Sequence, residues 1–119
     1  MTKMNKKSKH DATIDTLVGR LDPRDYSQIA KNIEYFKPNC KSCSGEVDAM
    51  AFKIDPSRAY LLLFEIKSND SVRNYNKAVK QLDRSEDHYH KFVDKIYKFY
   101  VTPNEDKTLN ITRVNAKIK

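Results

Sequence analysis

The residues best suited to act together chemically are two carboxylates and a lysine, Asp48, Glu65 and Lys67. If the segments that carry them form an antiparallel hairpin with its turn centred in residues 55–58, the numbers of paired residues sum to 113. Asp48 then lies opposite Glu65, and Glu46 lies opposite Lys67. Residues two apart on a strand project from the same face, so this pairing predicts four charged side chains side by side.

Two carboxylates in this arrangement need a compensating charge. Directly opposed side chains have Cβ atoms about 4.5–5.5 Å apart, and like charges at that distance destabilise the pair. Lys67 supplies one positive charge, and a divalent cation would supply the other. Mg²⁺ prefers oxygen ligands and is commonly held by one or two carboxylates and several waters. The alternative is a solvated cluster of charges near the strand ends, with no bound metal.

The pattern of the flanking residues predicts the two strands. Glu46–Ile54 and Ala59–Lys67 are rich in apolar and aromatic residues, and Asp55-Pro56-Ser57-Arg58 between them has the preferences of a type I turn. The second strand is apolar on both faces from Leu61 to Phe64, so we expect it to be central and covered on both sides.

Gly45-Glu46-Val47-Asp48, followed by an apolar strand that ends in Phe64-Glu65-Ile66-Lys67, resembles the PD-(D/E)XK nuclease superfamily. Within it, the chain is most similar to the archaeal-type Holliday junction resolvases. The resemblance covers roughly residues 23–101 and implies a restriction-endonuclease-like core of helix, three strands, helix and strand.

The resemblance also implies roles for individual residues. Asp48, Glu65 and the backbone carbonyl of Ile66 would bind Mg²⁺, for which Mn²⁺ could substitute. Lys67 would orient the attacking water and stabilise charge on the phosphate. Members often add an acidic residue from the first helix, here Glu34.

Two further residues would have supporting roles at the same site. Gln81 resembles a glutamine that some nuclease subgroups carry on this helix, although Ser85 stands where the Gln-x-x-x-Tyr subgroup has tyrosine. Glu46, which the hairpin pairing places opposite Lys67, is the other.

The remaining elements follow from hydrophobic spacing. Apolar residues three and four apart predict helices over Asp11–Leu21, over Pro23–Phe36 and from about Ser71 to Ile96. Alternation predicts strands over Tyr97–Val101 and Leu109–Val114. The expected fold is therefore α/β, with a mixed sheet flanked by helices in the order α-α-β-β-α-β-β.

Positive charge is concentrated at the two ends of the 119-residue chain, whose formal net charge is +7. Residues 1–10 and 107–119 each carry four basic residues and no acidic one. Removing these eight from the 23 basic residues leaves 15 against 16 acidic residues between 11 and 106. We expect residues 1–10 to be a flexible basic arm and 11–119 to be a single nuclease-like domain.

Basic residues that could contact phosphates lie in the arm and along the third predicted helix, where a solvated helix face is the alternative. They are Lys6, Lys7, Lys9, Arg73, Lys77, Lys80 and Arg84.

Other classes of protein find little support. Cys40-x-x-Cys43 with His88 and His90 is a poor match to structural zinc sites, so we expect free thiols. No run approaches 18 apolar residues, and the N-terminus lacks the apolar stretch of a signal peptide. We therefore expect no membrane span and a cytoplasmic location, in the host cell if the protein is viral.

The sequence thus predicts a Mg²⁺-dependent endonuclease that hydrolyses phosphodiester bonds of DNA, with branched DNA such as Holliday junctions as one substrate. A homodimer is expected by analogy, since junction cutting needs two active sites. The alternatives are a catalytically inactive nuclease-fold protein that binds nucleic acid, and one that acts through a protein partner.

Overall fold

The computed structural model describes residues 8–36 and 45–114, and it is an α/β structure with a five-stranded mixed sheet and two helices in those residues. The elements, in chain order, are α1 (Lys9–Arg20), β1 (Gln28–Tyr35), β2 (Gly45–Asp55), β3 (Arg58–Ile66), α2 (Val72–Tyr89), β4 (Lys95–Pro103) and β5 (Leu109–Val114).

The strands lie in the sheet in the order in which they occur in the chain. Strands β3 and β4 pair in parallel, whereas the three other neighbouring pairs are antiparallel. A parallel connection needs a crossover of a dozen or more residues, and α2 provides it between β3 and β4. The element after Glu65 and Lys67 is therefore the helix that packs over their strand.

The sheet has a helix on each face. Helix α2 packs on a cluster that includes Leu61, Leu63 and Leu82. Helix α1 packs on the other face, where Ile14 and Leu17 meet the remaining buried side chains. Strand β3 is consequently covered on both sides, as its apolar sequence predicts, and its residues from Leu63 to Ile66 are all buried.

The β2–β3 hairpin is confirmed, including its register. Ala49 pairs with Phe64 and Asp55 pairs with Arg58, so the numbers of paired residues sum to 113 as predicted. The two-residue turn at Pro56 and Ser57 joins the strands directly.

The predicted helix over Pro23–Phe36 is wrong, because most of this segment forms strand β1. Asp22-Pro23 has the pattern of a helix N-cap followed by proline, but Asp22 accepts a hydrogen bond from the Arg24 amide (2.9 Å) and begins a turn instead. The helical spacing of the isoleucines coexists with a strand-like spacing at Ile33 and Tyr35. Pairing with the free edge of β2 decides between them, since strand preference depends on tertiary context. The observed order is α-β-β-β-α-β-β.

Two helix boundaries also differ from prediction. Helix α2 ends at Tyr89, not at Ile96, and β4 begins at Lys95, two residues before the predicted strand. Val93 and Ile96 pack against the same core cluster as the helix, which explains why the spacing continues past its end. Val72 fits the apolar spacing that predicts this helix, but its side chain is 79% exposed. Helix α1 includes Lys9 and His10 from the predicted arm.

Strand β1 reverses its faces in its middle. Lys31 contacts Asp15 of α1 (Nζ to Oδ1, 2.7 Å), whereas Tyr35, four residues on, contacts Ser85 of α2 (Oη to Oγ, 3.1 Å). Side chains an even number apart on a regular strand point the same way. Asn32 lies between them with φ of 53°, a left-handed conformation that asparagine tolerates, and it makes the reversal possible.

Strand β2 reverses at the same level. Ala49 belongs to the cluster under α1, and Val47 belongs to the cluster under α2. Asp48 lies between them, immediately beyond the Ala49–Phe64 pair where the pairing with β3 ends. The reversal therefore places Asp48 at the point where β2 changes from the α1 side of the sheet to the α2 side.

In the described ranges 8–36 and 45–114, no helix is long and apolar enough to cross a membrane.

Candidate active site

Asp48 and Glu65 lie together and are almost completely buried, with 5% and 4% of their surfaces exposed. Each is one position beyond the Ala49–Phe64 pair on its own strand, and the two carboxyls are close enough for Asp48 to raise the pKa of Glu65. The predicted juxtaposition of these two residues is therefore present. Buried carboxylates that meet in this way are not a solvated surface cluster, because the water that would screen them is excluded.

Burial and, after it, the neighbouring Asp48 carboxyl together raise the pKa of Glu65 to about 9, against the opposing effect of Lys67. At neutral pH, and with no cation bound, the Glu65 carboxyl consequently keeps its proton. The proton compensates part of the negative charge of the two carboxyls, and a bound divalent cation would take over that role.

Asp48 is held by two further contacts. Its Oδ2 accepts a hydrogen bond from the Ile66 amide (2.8 Å), which fixes the carboxylate against the β3 backbone. The same oxygen lies 3.2 Å from Nε2 of His10, in the first turn of α1. Helix α1, which packs on the face of the sheet opposite α2, therefore contributes a residue to the site.

His10 is a site residue that the sequence analysis missed, because it was assigned to the arm. A signal was available: His10 precedes Ile14 by four residues and Leu17 by seven, so it continues the apolar stripe of α1 by one turn. Ser8 accepts a hydrogen bond from the Asp11 amide and caps the helix there, which brings His10 into its first turn.

Lys67 follows Glu65 by two residues on the same chain segment and contacts α2. Its Nζ donates to Oε1 of Gln81 (3.2 Å), so Gln81, for which a supporting role was expected, contacts Lys67. The Lys67 amide donates to the carbonyl of Val101 (3.0 Å) and anchors the residue to β4. Lys67 is near enough to Glu65 to lower its pKa, which places the ammonium group within the field of the acidic pair.

Glu34 and Glu46 are not brought to the buried pair. Glu34 lies on β1 instead of the first helix, and it pairs with Glu46 across the β1–β2 ladder. Both side chains are exposed, and the β2–β3 ladder ends before it could pair Glu46 with Lys67. Among the residues that the structure describes, no three His, Cys, Asp or Glu side chains form a metal-binding group.

A surface cavity of about 640 Å³ lies beside the site, between the end of the β1–β2 ladder and α2. Its lining residues are Glu34, Tyr35, Phe36, Gly45, Glu46, Gln81 and Arg84. Gln81 therefore borders this open space and also contacts Lys67, which connects the cavity with the buried charges.

Tyr35 forms one wall of this cavity. A Cβ at Gly45 would overlap its hydroxyl group, so the close approach of the two strands requires glycine there. The Tyr35 ring stacks on His88 (centroids 4.4 Å apart), and its hydroxyl group contacts Ser85, four residues after Gln81. These contacts fix the α2 turn that carries Gln81.

The predicted phosphate-binding residues of the two helices are at the surface. Arg73, Lys77, Lys80 and Arg84 are exposed on α2, and Lys9 is exposed on α1. Lys6, Lys7, Cys40 and Cys43 lie outside the described residues.

A scan against protein-family models and searches of curated proteins and of solved structures found no match to this chain.

Proposed function

We propose that this chain is a metal-dependent endonuclease of the PD-(D/E)XK type that hydrolyses phosphodiester bonds of DNA. One observation carries the proposal: Asp48 of β2 and Glu65 of β3 are both buried and lie next to each other where the two strands stop pairing, with Lys67 two residues after Glu65. Burying two carboxylates in contact costs folding free energy, and a role in holding a cation would account for that cost.

The order of the elements supports the proposal. The resemblance implies a restriction-endonuclease-like core of helix, three strands, helix and strand, and α1 to β4 follow one another in that order. The strand β1, which replaces the predicted second helix, supplies the first of the three strands.

The donor set fits Mg²⁺, which accepts one or two carboxylates and completes its shell with water. Asp48, Glu65 and the Ile66 carbonyl would hold it, and the ion would polarise the phosphate and lower the pKa of a bound water. His10 of α1 reaches the site through its contact with Asp48. Glu34, which the resemblance assigns to this role, lies on β1 and does not reach it.

Lys67 has the position to assist the reaction. Its ammonium group would stabilise the negative charge that develops on the phosphate, and a fixed donor needs no reorganisation during the reaction. Gln81 accepts a hydrogen bond from this ammonium group and so limits its orientations. His10 and the Ile66 amide hold Asp48 in the same manner.

Branched DNA is the proposed substrate, and a homodimer with two such sites is the proposed form of the enzyme. Both parts rest on the resemblance to junction resolvases. Cleavage rates in Mg²⁺, measured on a junction, a flapped duplex and a linear duplex of matched sequence, would identify the preferred substrate.

The test compares the wild type with Asp48→Ala and Lys67→Ala in Mg²⁺ and in EDTA. We expect cleavage by the wild type in Mg²⁺ only, and loss of at least about 100-fold in rate in both variants, the range found for charged groups that act on the transition state. Lys31→Ala is the matched control, because it removes an exposed lysine on β1. Full activity of Asp48→Ala and Lys67→Ala would refute the assignment of the site.

A second candidate is binding of nucleic acid without cleavage. It is favoured by the exposed basic residues of α2, which do not depend on the acidic pair. This function predicts salt-sensitive retention of DNA that EDTA does not change, and no cleavage with any divalent metal.

A further inference from the structure

Part of the sheet on the α1 side lies outside both hydrophobic clusters. Helix α1 covers this face where Phe64, Ile66 and Val101 are buried. Beyond it, Tyr60 of β3 and Tyr97 of β4 are half-buried and belong to neither cluster. We refer to the surface formed by Tyr60, Tyr97, Lys95 and Arg113 as the tyrosine face.

The pairing of the strands brings these four side chains together. Tyr60 pairs with Lys95 across the parallel β3–β4 ladder, and Tyr97 is two residues further along β4. A strand spacing of about 4.8 Å and a rise of about 3.3 Å per residue put the two tyrosines about 8 Å apart at Cα. They border a shallow cavity of about 430 Å³.

Two exposed cations lie against the Tyr97 ring. Arg113 of β5 has its guanidinium carbon 4.9 Å from the ring centroid, and Lys95 has its Nζ 5.4 Å from it. Neither cation has an ion pair among those identified in residues 8–36 and 45–114. Aromatic rings next to cations in this arrangement match the two parts of a nucleotide, a flat base and an anionic phosphate.

We propose that the tyrosine face binds single-stranded nucleic acid. A base stacks on Tyr97 and displaces one of the two cations from the ring, and the released cation contacts a phosphate. The exchange is favourable because base stacking on an aromatic ring is worth more than an exposed cation–π contact.

Charge restricts where the strand runs. Asp25, Asp55 and Lys53 also line the cavity and together carry a net negative charge, whereas Lys95 and Arg113 on β4 and β5 are both positive. The backbone of the bound strand therefore follows the side of Lys95 and Arg113, along β4 and β5, and the bases point towards the two tyrosines.

The proposal is independent of the nuclease assignment. Tyr60 is five residues before Glu65 on β3, which corresponds to about 16 Å. The tyrosine face is on the α1 side of the sheet, whereas Lys67 contacts α2 on the other side. Binding here requires no metal, so it can be tested in EDTA, where the proposed cleavage is absent.

The test measures the fluorescence anisotropy of labelled oligothymidylate and oligouridylate of 20 nucleotides, with EDTA and at low salt. We expect Tyr97→Leu to weaken binding about 5-fold or more, since it removes one stacking ring. We expect Lys95→Gln with Arg113→Gln to weaken it at least as much and to flatten its dependence on salt. The two oligonucleotides distinguish DNA from RNA as the source of the bases.

Two controls isolate the tyrosine face. Phe92→Leu removes an aromatic ring that follows α2 and is 70% exposed. Arg20→Gln with Lys31→Gln removes as much charge as the test variant, but from residues that contact Lys107 and Asp15. Both should bind oligonucleotides as the wild type does. Equal weakening in the charge control would show a general charge effect, equal weakening in Phe92→Leu would show a general effect of losing a ring, and either would overturn the proposal.

A further readout does not depend on the folding of a variant. Photocrosslinking of wild-type protein to 5-iodouracil oligonucleotides, followed by peptide mapping, should place the crosslink on Tyr97 or Tyr60. Crosslinks confined to other residues would contradict the proposal. If Tyr97→Leu abolishes self-association of the chain and leaves oligonucleotide affinity unchanged, the face is a contact between copies, and the proposal is wrong.

Discussion

The buried Asp48–Glu65 pair is the residue-scale feature on which the function depends, and it makes folding sensitive to pH. Burial and the neighbouring Asp48 raise the pKa of Glu65 from 4.5 to about 9, so the folded state binds a proton that the unfolded state releases above pH 4.5. The stability that this proton gives is present in full below pH 4.5 and is lost as the pH rises towards 9.

We therefore expect the metal-free protein to lose stability between about pH 5 and pH 9, and Glu65→Gln to reduce this loss, since its neutral amide does not titrate. Urea unfolding in EDTA at several pH values measures the effect. Mg²⁺ should stabilise the wild type more at pH 8.5 than at pH 6, because the proton competes with the cation. Identical pH profiles for the wild type and Glu65→Gln would contradict the raised pKa.

The site was predictable from sequence where it depends on short-range pairing. Turn residues 55–58 and the flanking alternation determine the hairpin register, and the register determines that Asp48 meets Glu65. The contact of His10 depends instead on how α1 crosses the sheet, and Glu34 was misplaced along with the strand that carries it. Long-range packing decides both positions, and local spacing does not encode it.

At the scale of elements, a buried ion pair joins α2 to β4. Lys98 of β4 is 2% exposed, and its Nζ contacts Asp83 (2.7 Å) and Glu86 (2.9 Å) of α2. Burial lowers the pKa of Lys98, but hydrogen bonds to the two carboxylates outweigh it, so the pKa lies above its usual value. In the sequence, Lys98 occupies the polar position of an alternating strand, and only the helix above it shows that this position is buried.

Removing both carboxylates should cost more stability than removing the lysine. Asp83→Asn with Glu86→Gln leaves a buried ammonium group without a counter-charge, at a cost of about 3–5 kcal/mol. Lys98→Met fills a similar volume without a charge and leaves carboxylates that are about a quarter exposed, 27% and 23%, so it should cost less. Urea unfolding of the three proteins checks the order, and the opposite order would show that the ion pair does not stabilise the contact.

The strands show a similar division between local and distant effects. The β2–β3 hairpin and β5 follow from alternation and turn residues, and both were predicted. Strand β1 has isoleucines at a helical spacing, and its state is decided by the edge of β2 that it completes. The end of α2 was missed for a related reason: Val93 and Ile96 share the core of the helix without being part of it.

At the scale of the whole molecule, the basic residues of α2 lie on the surface, whereas the acidic pair is buried. Lys77 and Arg84 are exposed, and Arg84 borders the cavity beside the site. If a duplex reaches the acidic pair from this side, its phosphates contact Lys77 and Arg84. If the helix face is only solvated, these two residues make no such contact.

The salt dependence of duplex binding distinguishes these two cases. If Lys77 and Arg84 each contact a phosphate, Lys77→Gln with Arg84→Gln should reduce the slope of log affinity against log salt by about 1.8, since each contact contributes about 0.9. Binding of a labelled duplex in EDTA at several potassium chloride concentrations measures the slope. Arg20→Gln with Lys31→Gln, which removes the same charge, should leave the slope unchanged, and an unchanged slope in the α2 variant would show that this helix face is only solvated.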